Sequence, residues 1–172
     1  GINRVGTYAA IANEIPVNVI NDEMIEYYYN VMSKINIVGF ENYDPNADVN
    51  TTQYNNIVAA IAKGSKSVEA NKKLSKADYN ALGKSKVLVS GSYVTKEAGL
   101  SSLLRLYEII TGESVKDYDT DINFNGFDLV DEKYKINIYK AYAIGLFEDQ
   151  EIDFKQNMKF KELFYILDFI LD

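Results

Sequence analysis

The chain has 172 residues, 47% of them hydrophobic and 25% charged, with a formal net charge of −7 at pH 7. That balance excludes wholesale disorder, and it makes duplex nucleic acid, which is held by Lys and Arg on phosphates, a poor partner. Having neither Cys nor His, the chain has no thiol nucleophile, no Ser-His-Asp triad and no set of ligands for the usual zinc sites.

In chain order, the first element is "INRVGTYAAIA", where Val5, Tyr8, Ala9 and Ala12 recur at helical spacing. Next comes "DEMIEYYYNVMSKINIVGFENYDPNADVNTTQYNNIVAAIAKG". Met24, Tyr27, Tyr28, Val31 and Ile35 share one helix face, and Tyr54, Ile57, Val58 and Ile61 share another beyond an apolar-glycine corner at Gly39. A second unit of the same kind places Leu74, Ala77, Ala81 and Leu82 before its corner and Leu100, Leu103, Leu104 and Tyr107 after it. Thr95 is the expected N-cap of that trailing helix, and Gly112 suits its left-handed end. The polar stretch "GESVKDYDTDINFNGFDLVDE" then reads as a surface connection anchored by Phe124 and Phe127. The third unit carries Tyr134, Ile138, Ala141 and Tyr142 ahead of Gly145, with Leu163, Ile166, Leu167 and Ile170 behind it.

Each unit is a helix, a turn and a helix, too small to bury both of its apolar stripes alone, so the units must pack on one another. The expected fold is therefore all-α. The expected divisions are a half-unit at 1–16 and full units at 17–64, 65–115 and 116–172.

The corners carry a resemblance. In "ENYDPNADVNTTQY", residues Tyr43, Pro45, Asn46 and Ala47 stand where the S-layer homology family has Phe, Pro, Asn and Ala; "KAYAIGLFED" and "SYVTKEAGLSSLLRLYE" are similar to its corner and its second helix. "INRVGTYAAIA" looks like the Thr-Arg-Ala-Glu helix of a preceding repeat, with Asn3 and Arg4 at the first two motif positions. The resemblance implies three repeats packed as a pseudo-threefold helical bundle whose grooves bind secondary cell-wall polysaccharide bearing pyruvylated sugars. It further implies a secreted surface protein anchored in a Gram-positive-type cell wall, with no catalysis and no cofactor. A ketal-linked pyruvate is a carboxylate, which Arg and helix N-termini are suited to hold.

By that likeness the glycan-binding residues are Asn3, Arg4, Gly39, Thr95, Lys96 and Gly145. The four-residue motif otherwise reads Asn50-Thr51-Thr52-Gln53, Thr95-Lys96-Glu97-Ala98 and Lys159-Phe160-Lys161-Glu162. None of these retains Arg, Lys96 is the nearest stand-in without a bidentate fork, and the corner glycine is replaced near Lys86. The loss of motif arginines opens an alternative: a module that keeps the fold but contacts other domains of surface proteins.

Three further signals compete. "DINFNGFDLVDE" matches a calcium-loop pattern through Asp121, Asn123, Asn125, Gly126 and Glu132. Against it, the eighth position is Asp128 and the preceding stretch makes a poor entering helix, so an Asn/Asp-rich turn and no metal are expected. Lys133, Lys135, Lys140, Lys159 and Lys161 form a local basic cluster, which is either a solvated helix face or a site for carboxylates or phosphates. Finally, paired carboxylates are inevitable among twenty-five acidic residues, and no spacing singles out a catalytic pair.

Overall fold

A computed structural model of the chain describes residue 39 and residues 43–69, 74–122, 126–147 and 152–171. Helix α1 spans Thr51–Ala62, α2 Lys76–Lys84, α3 Lys96–Thr111, α4 Glu132–Ala143 and α5 Phe160–Leu171, with a 3-10 turn at Phe127–Leu129. Among the described residues there is no strand, so the fold is all-α as expected. The half-unit at 1–16, with Asn3 and Arg4, and the leading helix of the first unit lie outside the described residues.

Local chemistry sets the helix boundaries. Asn50 caps α1 by accepting the Gln53 N–H at 2.8 Å, Ser75 caps α2 through Asp78, and Thr95 caps α3 through Ala98 at 3.3 Å. At α5 the cap works in reverse: the Glu162 side chain reaches back to the Lys159 N–H at 2.8 Å, half of a capping box. Helix α3 stops at Gly112, which takes the left-handed φ of 72° that the sequence predicts.

The two described corners between leading and trailing helices share one construction. After α2 the Val87 N–H returns to the Leu82 carbonyl, and after α4 the Leu146 N–H returns to that of Ala141. The residue in between is left-handed in both, Lys86 at φ 60° and Gly145 at φ 83°. Lys86 therefore occupies the position where the sequence lacks its glycine.

The core is organised around a closed ring of backbone hydrogen bonds. The Val49 N–H donates to the Met158 carbonyl at 2.9 Å, the Met158 N–H to that of Val94 at 2.7 Å, and the Val94 N–H to that of Val49 at 3.0 Å. All three residues are fully buried. On either side, isolated bridges pair Asn50 with Tyr93, Thr95 with Asn157 and Lys159 with Asp48. The three tetrapeptides aligned in the sequence thus begin the three helices that this ring ties together.

Helix α3 packs against α1, α4 and α5. Leu100, Leu103, Leu104, Ile138, Leu163, Ile166 and Leu167 fill the space between them with no exposure to solvent. Burying a side chain of this size contributes about 1.5–3 kcal/mol. Aromatic contacts close the periphery: Tyr43 stacks on Phe160 at 4.7 Å, and Phe127 meets Tyr139 at 4.7 Å and the edge of Phe154 at 6.2 Å. Phe127 is therefore the anchor expected of the connecting segment; Phe124 lies outside the described residues.

Candidate functional site

The starts of the trailing helices are the places where the resemblance puts ligand contacts. At α3 and α5 the amide groups are already engaged. At α3, Lys96 and Glu97 donate to the carbonyls of Gln156 and Phe154, and Ala98 and Gly99 to the side chain and carbonyl of Thr95. At α5, Phe160 and Lys161 donate to Ala47 and Pro45, and Glu162 and Leu163 to the Lys159 carbonyl. The orphan donors of a helix start, which would favour an anion, are consumed here by the neighbouring loops. Thr95 is accordingly a structural cap.

Lys96 is an interior residue, 2% exposed. Its ammonium lies 3.2 Å from Gln156 Oε1 and 3.8 Å from Glu162 Oε2, so it spans the starts of α3 and α5 instead of facing a groove. Gly145 and Gly39 hold positive φ values of 83° and 115°. A Cβ on Gly39 would press on Val68 at 3.3 Å, whereas one on Gly145 would meet nothing. Chain reversal accounts for Gly145.

Of the calcium set, Asn123 and Asn125 lie outside the described residues. The Asp121 N–H is bonded to Asp119 Oδ1 at 2.8 Å in an Asx turn, and Glu132 pairs with Lys135 at 2.9 Å. Among the described residues no group of three acidic side chains is placed to hold a metal ion.

Two of the clefts among the described residues lie beside this framework. The first, about 280 Å³, lies between the corner after α2, the first turns of α3 and the start of α4, with Lys86, Ser90, Ser101, Ser102, Lys133 and Tyr134 in its lining. Its floor is rigid. Tyr54 donates to Ser102 Oγ at 2.7 Å, Ser102 donates to the Val87 carbonyl, and Asn137 donates to Ser101 Oγ at 2.9 Å. Burial pushes the Tyr54 phenol well above its usual range, so it stays a donor.

The lining of this cleft carries two lysines and, among the described residues, no acidic side chain. Lys63, Lys96, Arg105, Lys135, Lys140 and Lys155 each have a carboxylate partner. Among the described residues no such pairing engages Lys86 or Lys133. The Lys133 ammonium sits 5.0 Å from the Tyr134 ring centroid, a geometry suited to cation–π attraction. The basic cluster seen in the sequence therefore divides: Lys135 and Lys140 serve ion pairs, and Lys133 faces a cavity.

The second cleft, about 450 Å³, has Thr52, Asn55 and Asn56 of α1, Tyr79 of α2 and residues 89–91 in its lining, with no charged side chain among the described residues. Asn55 grips Val89 from both sides, Nδ2 donating to its carbonyl and Oδ1 accepting its N–H, each at 3.0 Å. Val89 and Ser90 line both cavities, so this segment is the wall between them. Sequence reasoning missed Lys86, Tyr79 and the three serines as lining residues; the one signal available was the missing corner glycine at Lys86.

Comparison of the chain with family models, with curated proteins and with solved structures finds no match.

Proposed function

We propose that this chain is a non-catalytic anchoring module of the S-layer homology type. In this reading three helix-loop-helix units pack about a pseudo-threefold axis, and an anionic cell-wall polysaccharide binds between the second and third units. The observation that carries it is the Lys86/Lys133 cleft, a recess lined by two lysines and, among the described residues, by no carboxylate, in a chain whose net charge is −7. A carboxylate such as a pyruvyl ketal would find there two lysines that have no carboxylate partner among the described residues, serine hydroxyls and an aromatic wall. The ring of hydrogen bonds through Val49, Val94 and Met158 supports the repeat arrangement, since each unit supplies one donor and one acceptor at the same offset from its helix.

The ionic role that the resemblance gives Lys96 passes in this reading to Lys86 and Lys133, and Arg4 keeps the one it has by alignment. The module would act on the outer surface of a Gram-positive-type bacterium. Co-sedimentation with purified wall polymer tests the reading: Lys86→Glu with Lys133→Glu should release the protein into the supernatant, and binding should weaken as salt rises. Retention of the double variant would overturn it.

A second reading rests on Leu129 and Ile136, apolar side chains 65% and 47% exposed. They favour contact with another protein domain. Binding to walls stripped of secondary polymer, lost on Ile136→Lys but not on Lys133→Glu, would support that reading.

A further inference from the structure

We propose that the uncharged cleft is a subsite for a neutral sugar residue of the same polymer whose charged residue sits in the Lys86/Lys133 cleft. This rests on the anchoring reading above and specifies its substrate: a glycan in which acidic and neutral residues adjoin. Three observations carry it.

The first is contiguity. The two cavities share Val89 and Ser90, and Asn55 fixes that wall by its paired hydrogen bonds to Val89. A chain lying across the wall enters both recesses, and the wall cannot swing to close either one without breaking two buried-side hydrogen bonds.

The second is chemical contrast. The lining of the larger cleft is hydroxyl, amide and aromatic, with Leu74 and Val89 beside them, and among the described residues it holds no lysine, arginine or carboxylate. A carboxylate placed there would lose hydration without gaining a counter-charge, which is costly. A neutral pyranose loses little and matches its hydroxyls to Thr52, Asn56 and Ser90.

The third is Tyr79. It is 54% exposed, and it stands at the cleft with its ring available as a flat apolar surface. An exposed aromatic beside amides is the combination that fits a sugar, whose C–H face is apolar and whose edge is polar.

Isothermal titration of the intact protein against purified acidic wall polysaccharide, and against the same polymer with its carboxyl groups reduced to alcohols, separates the two subsites. Tyr79→Ala should weaken binding of the intact polymer about tenfold, leave the salt dependence unchanged, and remove the residual binding of the reduced polymer. Lys133→Glu should weaken the intact polymer, flatten the salt dependence and spare the reduced one. Asn56→Ala, a second variant on the other side of the cleft, should behave like Tyr79→Ala. Wild-type affinity of both Tyr79→Ala and Asn56→Ala for both polymers, with Lys133→Glu defective, would overturn the neutral subsite and leave the anchoring reading standing. Failure of the unaltered protein to bind either polymer would overturn both.

Discussion

Lys96 of α3 and Glu162 of α5 meet inside the protein, Nζ 3.8 Å from Oε2, with side chains 2% and 0% exposed. Their sequence separation is 66 residues, and the pair fastens the starts of two helices. Taking two charges out of water is expensive, and removing one partner strands the other. Lys96→Met should therefore cost about 3–5 kcal/mol, measured by urea denaturation. Lys96→Met with Glu162→Gln should recover much of the loss, because Gln keeps an acceptor for the Lys159 N–H.

Lys86 is a non-glycine residue in the left-handed region, at φ 60°. Such a conformation costs on the order of 1–2 kcal/mol for an L-residue. Lys86→Gly should raise stability by about 1 kcal/mol and weaken polymer binding at the same time. Paired thermal melts and titrations check this, and a variant that gained in both would contradict the role given to the Lys86 ammonium.

Lys155 bonds Glu97 at 2.8 Å and Asp131 at 3.1 Å. The Glu97 hydrogen bond, reinforced by that of Asp131, raises the Lys155 pKa above its ordinary value. A raised folded-state pKa gives stability that is fully present below the unfolded value, about 10.4, and is lost as pH rises through the folded value. The stability difference between wild type and Lys155→Met should hold constant from pH 7 to about 9 and shrink above about 10.5. Denaturant melts across that range decide it.

Thr51 Oγ1 is buried and, among the described residues, has no hydrogen-bond partner. Thr51→Val replaces an unpaired hydroxyl by a methyl of similar shape. The substitution should be neutral or stabilising by up to about 1 kcal/mol, since an unsatisfied buried hydroxyl costs on the order of 1–3 kcal/mol. A loss of more than that, read from chemical denaturation, would show that the hydroxyl has a partner.

The helices were legible because their signals are local. Asn50, Thr95 and Gly112 mark helix ends by side-chain and backbone chemistry confined to one turn, and Leu100, Leu103 and Leu104 mark a buried face by spacing alone. Three aligned tetrapeptides were enough to register the ring segments against one another. The ring itself was not legible, because a backbone bond from Val49 to Met158 leaves no trace in side-chain pattern. The burial of Lys96 was missed for a related reason: a lysine on a helix start reads as exposed until Glu162, far along the chain, is known to face it. The clefts depend on where α4 settles against the corner at Lys86, which tertiary packing decides.

The closure of the hydrogen-bond circle at Met158 has a consequence for biogenesis. Val49 cannot find its acceptor, nor Val94 its donor, until a segment more than sixty residues downstream of Val94 has been synthesised. Early segments leaving the ribosome would wait, incompletely tied, for the late one, and detachment of the Met158 segment would release its bonds to both Val49 and Val94.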